Sequence, residues 1–192
     1  MPTAISDGTG TGSLAKVTDG RLQVEANLRP FISYKAKGSA QSFAAASYNT
    51  TGLAAGADVY NVRYTGSSGG FVITEIVMFS NQIVVVSAQN STGTAAGGDA
   101  ITPAQLNFGS TSPSNITVRA AGTTGALSGL SASGSPITYF QLPAVGTIPV
   151  EPGEIPIVTA SRSLTINIKS VPGSNPTVMG ITVFGYESDL EL

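Results

Sequence analysis

Short runs of apolar and β-branched residues, separated by Gly and Pro, recur along most of this chain, and no segment carries a sustained helical period. Residues 57–64 alternate apolar and polar side chains, and residues 71–79 form a longer β-branched run after the Gly/Ser-rich segment 66–70. These two runs predict two strands that pair with each other. Residues 82–88 are mostly apolar, which is typical of a strand buried on both faces.

Further extended segments predict an all-β fold. They lie at 115–120, 137–142, 146–150, 163–169 and 178–186. A first strand is predicted at 21–28, where alternate residues share an apolar face and Pro30 ends the pattern. About eight to ten short strands at this spacing indicate a β-sandwich or a barrel. We favour a jelly-roll-like antiparallel β-sandwich, while an immunoglobulin-like sandwich stays open because the pattern does not contain the strand order.

Two segments depart from the strand pattern. Thr102 and Pro103 form the one plausible helix start, with Thr102 as the N-cap, and Gly109 limits that helix to one or two turns. Residues 121–136 are rich in Gly, Ser and Thr and only weakly apolar. They predict either a surface loop or an arm that becomes ordered against a partner.

The first residues differ in composition from the rest. Residues 1–20 contain the run Asp-Gly-Thr-Gly-Thr-Gly-Ser, whose backbone entropy disfavours regular structure in isolation. We therefore predict a flexible N-terminal arm at 1–20 and a single β-sandwich domain at 21–192. The Gly-x-Gly-x-Gly run lacks the preceding strand and following helix that a phosphate-binding loop requires, so no cofactor site is expected there.

Charge is scarce. Charged residues make up 10% of the 192 residues, against roughly 25% in an ordinary soluble domain. Such a surface is suited to being covered by neighbouring subunits, although Ser, Thr and Asn are also able to replace charges as solubilising groups. The net charge of −2 and the scattered Lys and Arg disfavour nucleic-acid binding. No run of 18 apolar residues and no basic, apolar leader occurs, so neither a membrane partner nor a signal peptide is expected.

The residue types missing from the chain exclude several chemistries. Without Cys there are no disulfides, thiolate metal sites or cysteine nucleophiles, and without His the usual hydrolytic triads and most zinc sites are lost. Glu151 and Glu154 lie in a Pro/Gly-rich turn, which predicts solvated carboxylates rather than a glycosidase pair. Asp7 and Asp99 lack a calcium-loop motif, and we expect Asp99 to cap or turn the backbone before the short helix. No catalytic residue, cofactor-binding residue or metal ligand is predicted.

Two short stretches are similar to segments of known proteins. Residues 7–17, Asp-Gly-Thr-Gly-Thr-Gly-Ser-Leu-Ala-Lys-Val, are followed by Gly-Arg-Leu-Gln-Val at 20–24. Residues 103–110 read Pro-Ala-Gln-Leu-Asn-Phe-Gly-Ser. Together these stretches resemble a group of tailed-bacteriophage virion structural proteins. The resemblance implies a jelly-roll-like capsid decoration, minor capsid or tail-associated protein that is displayed in many copies and has no catalytic activity.

From composition and resemblance we expect a non-catalytic protein located on the virion. Its partners are expected to be copies of itself and other virion proteins, with the arm and the Gly/Ser/Thr-rich segment gaining order on assembly. The residues expected to make these interactions lie in the arm and just after it: Asp7, Gly8, Thr9, Gly10, Lys16 and Arg21.

The alternative function is a module that binds a host surface or a carbohydrate through the loops at one end of the sandwich. Sugar sites commonly present exposed aromatic rings, whereas the tyrosines here lie within or beside strand patterns, which favours packing. They are Tyr34, Tyr48, Tyr60, Tyr64, Tyr139 and Tyr186. The closing segment 186–192 is acidic and is interpreted either as a frayed, solvated end or as a segment that docks on a basic neighbour.

Overall fold

The chain divides into two compact units, Met1–Tyr34 and Lys35–Leu192. The computed structural model describes residues 42–50, 53–106, 108, 113–122, 125–143 and 157–188, and the backbone of residues 5–6, 14–15, 17–18, 21–22 and 148–149. In the first unit, β1 (Ile5–Ser6) pairs with β2 (Leu14–Ala15), and β3 (Val17–Thr18) pairs with β4 (Arg21–Leu22). Of the predicted strand at 21–28, Arg21–Leu22 is therefore extended and paired, and the remainder lies outside the described residues.

The second unit consists of two sheets. Its strands, in chain order, are β5 (Ser42–Asn49), β6 (Asp58–Tyr64), β7 (Gly70–Ser80), β8 (Val84–Ala96), β9 (Asp99–Ile101), β10 (Ala104–Gln105), β11 (Ile116–Ala120), β12 (Ser128–Ala132), β13 (Thr138–Leu142), β14 (Ile148–Pro149), β15 (Ile157–Thr159), β16 (Ser163–Ser170) and β17 (Met179–Ser188). The first sheet has the order β10-β5-β17-β7, and β14 and β15 both pair with β7. The second has the order β12-β8-β16-β6-β11-β9, and β13 also pairs with β8.

Every strand pair is antiparallel, and the two sheets pack face to face around one core. Alternate residues of each strand point inward, as a sandwich requires. Tyr60 is fully buried, and its hydroxyl donates a hydrogen bond to the Ala45 carbonyl oxygen of the opposite sheet at 2.6 Å. Burial raises the pKa of the Tyr60 phenol well above its usual value. The predicted antiparallel β-sandwich is confirmed.

Most predicted strands are present close to their expected bounds, because an apolar period of two is a local signal. The strand predicted at 82–88 begins at Val84, and residues 86–88 are buried as expected on both faces. It continues much further than predicted, to Ala96. The strand predicted at 146–150 is described only at Ile148–Pro149.

Two predictions about residues between the strands are wrong. The helix after Thr102 does not form, because Ala104 and Gln105 are extended and pair with Ala44 and Phe43 at the edge of the first sheet. The segment 121–136 is not only a loop, since Ser128–Ala132 forms β12 and pairs with β8. Among the described residues, no helix is long and apolar enough to cross a membrane.

Candidate interaction surface

The outer side of the second sheet carries a grid of polar side chains, which we call the polar face. The inward direction of Tyr60 shows that the next residue of β6, Asn61, points away from the core. The rows across β8, β16 and β6 are defined by strand pairing. They are Ser91–Ser163–Arg63, Gln89–Thr165–Asn61 and Ser87–Asn167–Asp58.

Most of the polar face is buried, which is unusual for residues on the outside of a sheet. Thr165 is completely inaccessible and Asn61 is 2% exposed. The Asn61 amide donates to Thr165 Oγ1 at 2.9 Å, and the Asn167 amide donates to Asp58 Oδ1 at 2.8 Å. These bonds offset part of the desolvation cost of burying polar groups. Something must therefore cover this side of the sheet.

The cover is a two-stranded ribbon formed by residues 92–96 of β8 and by β12. Ser91 still pairs with Ser163, but residues 92–96 run beyond β16 and lead to β9, at the opposite edge of the same sheet. The ribbon therefore crosses β16 and β6. At its far end, the Leu127 amide donates to the Asp58 carbonyl oxygen at 2.9 Å. The ribbon accordingly lies over the polar face and buries it.

Two arginines of the sheet hold the ribbon down. Arg63 Nη1 donates to the Gly93 carbonyl oxygen at 2.5 Å and to Thr94 Oγ1 at 2.8 Å. Arg119 Nη1 donates to the Gly97 carbonyl oxygen at 2.6 Å. Because guanidinium groups carry several fixed donors, one arginine is able to bind two oxygen atoms of the ribbon at once, as Arg63 does.

Gly98 permits the close approach of the ribbon to β11. Its φ is +55°, a left-handed conformation that other residues rarely adopt. A Cβ atom at this position would overlap the Ala120 carbonyl oxygen and the Leu127 side chain. The turn that joins the ribbon to β9 therefore passes β11 at backbone distance, and a larger residue at Gly98 would displace this end of the ribbon.

The outer side of the first sheet has the opposite character, and we call it the apolar face. It is formed by alternate residues of three adjacent strands, β5, β17 and β7. These are Ser42, Ala44, Ala46, Tyr48, Gly180, Thr182, Phe184, Tyr186, Val72, Glu75, Val77 and Phe79. Apart from the two tyrosine hydroxyls, only Ser42, Thr182 and Glu75 among them are polar, and none of these residues is Lys or Arg. Such a side chain set is typical of a covered sheet rather than of one that faces water.

An aromatic pair marks one end of the apolar face. Tyr48 and Phe79 lie on either side of Gly180, with ring centroids 6.2 Å apart and planes tilted by 40°. The Phe79 ring occupies the space that a Cβ atom of Gly180 would need. Tyr48 is nevertheless 64% exposed. An aromatic side chain with this exposure is able to bury further apolar area against a partner.

The residues predicted to interact are only partly described. Asp7, Gly8, Thr9, Gly10 and Lys16 lie outside the described residues. Arg21 lies in β4 opposite Thr18, and no contact of its side chain is described. The interaction predicted for these residues stays a prediction.

The acidic residues singled out in the sequence have different places. Glu151 and Glu154 lie outside the described residues. Asp99 does not precede a helix, because it lies in β9 opposite Ala120. Glu187 is not part of a frayed end: it belongs to β17, is 9% exposed and accepts hydrogen bonds from the Asn115 backbone amide at 2.6 Å and side-chain amide at 2.8 Å. Asn115 thus holds this carboxylate in place at the end of β17.

The tyrosines fit the packing prediction only in part. Tyr60 and Tyr64 are buried, as expected, but Tyr48 and Tyr139 are 64% and 59% exposed. Tyr34 lies outside the described residues. The sequence did not reveal the apolar face, although one signal was present: Tyr48, Phe79 and Phe184 all lie at positions that alternate with core residues. Period-two patterns with apolar residues on both sides predict strands covered on both faces.

Within the described ranges, no three His, Cys, Asp or Glu side chains come together as a metal-binding group. Comparison of the chain with protein families, with curated proteins and with solved structures finds no match.

Proposed function

We propose that this chain is a non-catalytic structural protein that assembles with copies of itself and with other subunits on a bacteriophage particle, in a decoration, cement or minor capsid role. The proposal depends on the apolar face, a sheet surface that contains no basic residue. The second sheet has no equivalent surface. An exposed apolar patch rimmed by polar residues commonly marks a protein interface.

We infer further that the sandwich is a jelly roll. Its eight principal strands, in chain order, are β5, β6, β7, β8, β13, β15, β16 and β17. The first sheet contains the first, eighth, third and sixth of these strands, and the second sheet contains the second, seventh, fourth and fifth. Up to β8, each strand therefore lies in the other sheet from the one before it. This interleaving is the strand order of an eight-stranded jelly roll, an architecture used in viral capsids.

The scarcity of charge supports assembly on independent grounds. At 10% charged residues, a free monomer has little electrostatic repulsion to keep copies apart. The two observations point in the same direction, because the few charges that exist are kept off the apolar face, with Glu75 as the exception.

A matched pair of alanines tests the proposal. Ala46 on the apolar face and Ala100 in β9 are both exposed strand residues. We expect Ala46→Lys to weaken self-association and binding to particles stripped of this protein, because it places an unpaired charge in the interface, whereas Ala100→Lys leaves both unchanged. Light scattering across a concentration series and co-sedimentation with particles measure the two effects. A wild-type chain that stays monomeric at high concentration and is missing from intact particles by mass spectrometry contradicts the proposal.

A glycan-binding module is the second candidate, because Tyr48 and Tyr139 present the exposed aromatic rings that sugar sites use. Glycan titration of the wild-type chain and of the Tyr139→Ala variant separates the two functions. Binding that is lost in Tyr139→Ala, from a protein that stays monomeric, favours the module over the assembly protein.

A further inference from the structure

A cleft of about 190 Å³ lies at the side of the sandwich. It is lined by residues of β15 from the first sheet, by residues of β8 and β16 from the second sheet, and by Ile137 directly before β13. Most of the surface that the lining presents is polar. Drug-sized ligands occupy pockets of about 300–1,000 Å³, so this cleft suits a smaller and more polar ligand.

Three polar side chains of the lining have free hydrogen-bonding capacity. Asn90 is opposite Leu164, a core residue, so its half-buried side chain lies on the inner side of the second sheet. Within the described residues, neither the Asn90 amide group nor the Thr159 hydroxyl has a hydrogen bond. The guanidinium of Arg162 makes one long bond, from Nη1 to Ser133 Oγ at 3.3 Å, and no described carboxylate pairs with it. Since polar groups in folded proteins normally find partners, this set is suited to a polar ligand.

A strained turn fixes two of these residues on the cleft. The Arg162 backbone amide donates to the Thr159 carbonyl oxygen at 3.1 Å, which closes a four-residue turn after β15. Ser161, the third residue of that turn, has a φ of +64° and is the only described non-glycine residue in the left-handed region. Backbone strain of this kind persists where the surrounding structure enforces it, and it is concentrated at ligand and active sites. The turn places both Thr159 and Arg162 on the lining.

We propose that the cleft binds a small ligand with one carboxylate and several hydroxyl groups, which is the chemistry of an acidic sugar residue. Arg162 binds the carboxylate, because a guanidinium and a carboxylate form paired, charge-assisted hydrogen bonds. A single guanidinium also balances the single charge of a carboxylate, whereas a phosphate monoester carries about two negative charges at neutral pH.

The rest of the lining fits the rest of such a ligand. The Asn90 amide group offers donors and an acceptor to sugar hydroxyls, and the Thr159 hydroxyl offers a donor and acceptor lone pairs. Ile137 and Ile157, each 44% exposed, provide apolar contact for the C–H groups of a sugar ring. None of the lining residues is aromatic, so the site is separate from the exposed tyrosines. The proposal does not depend on assembly, because a monomer has the same cleft.

Titration with glucuronate, glucose and acetate, followed by amide chemical shifts in NMR spectra, tests the proposal. We expect glucuronate to bind at least about tenfold more tightly than either other probe, because glucose lacks the carboxylate and acetate lacks the hydroxyls. The shifts should centre on residues 90 and 157–164. Equal affinity for glucuronate and acetate, or shifts confined to other parts of the chain, overturns the proposal. A chain that assembles but does not bind glucuronate contradicts this proposal alone.

A matched pair of charge-removing variants identifies the site. Arg162 directly precedes β16 and Lys169 lies near its other end, and both are exposed. Arg162→Gln should weaken glucuronate binding about tenfold or more, whereas Lys169→Gln should leave it unchanged. Equal losses in the two variants would show unspecific attraction by positive charge and overturn the proposal. Asn90→Ala should weaken glucuronate binding without changing that of acetate, and this comparison decides the matter even if Arg162→Gln fails to fold.

Discussion

The two sheets of this sandwich present opposite outer faces. The polar face of the second sheet is buried beneath the ribbon, whereas the apolar face of the first sheet carries Tyr48 at 64% exposure. A free monomer would be expected to have the reverse arrangement, with polar residues in water and apolar residues covered. Within the described residues, the chain therefore buries the face that is less costly to leave open more completely than the apolar face, on which Ala46 and Tyr48 are exposed.

The largest loss of stability is expected from a substitution that displaces the ribbon from the sheet. Gly98→Ala should lower the free energy of unfolding by about 3 kcal/mol or more, because it adds an overlap with the Ala120 carbonyl oxygen to an unfavourable φ. Gly56→Ala is the matched control, since Gly56 also has a positive φ of +91° but has open space where a Cβ would lie. It should cost about 1 kcal/mol. Denaturant unfolding measures both, and equal losses would show that ribbon seating contributes nothing.

Removal of one hydrogen bond beneath the ribbon tests whether the polar face is buried more deeply than the apolar face. Asn61→Ala should destabilise the fold by about 1–3 kcal/mol, because Thr165 Oγ1 loses its donor in a site without water access. The equivalent truncation on the other sheet, Thr182→Ala, should change stability by less than about 0.5 kcal/mol. Thermal unfolding of both variants provides the test. If Thr182→Ala costs as much as Asn61→Ala, the two faces do not differ in burial as described.

Loss of the arginine hydrogen bonds should have the smallest effect on global stability, and its effect should be confined to the ribbon. The double variant Arg63→Gln/Arg119→Gln removes solvent-exposed hydrogen bonds to Gly93, Thr94 and Gly97, at a total cost of about 1 kcal/mol. Amide hydrogen exchange should accelerate at residues 92–98 and 128–132 and stay unchanged in β5 and β17, since only the ribbon opens. Uniform acceleration through both sheets would instead show that the ribbon and the sandwich unfold together.

The sequence predicted the strands that carry a clear local pattern and missed those that depend on distant pairing. Residues 57–64 alternate in the way that a half-buried strand must and residues 71–79 form a β-branched run, so the bounds of β6 and β7 were predicted almost to the residue. The predicted pairing of these two strands is wrong, because β6 lies in the second sheet and β7 in the first. The segment Ser128–Ala132 has Gly and Ser in place of β-branched residues, and it is extended because β8 offers it a partner. The helix predicted after Thr102 and Pro103 does not form for the same reason, because Ala104 and Gln105 pair with β5.

Of the candidate surfaces, the polar face was the hardest to predict. Asn61, Arg63 and Thr165 occupy the alternate positions at which a sandwich strand normally faces water. Nothing local shows that residues 92–96 will leave the edge of the sheet and cross it. The sequence shows Gly93, Gly97 and Gly98 as points where the backbone is able to turn. It does not show the surface toward which the backbone turns.

The attachment of the ribbon has a consequence for acid tolerance. Arg63 and Arg119 donate to carbonyl and hydroxyl oxygens, none of which gains or loses a proton at ordinary pH. An attachment built from ion pairs would weaken as its carboxylates became protonated. The ribbon has no such weakness at these contacts, so its hold on the sheet should persist in surroundings acidic enough to neutralise carboxylates.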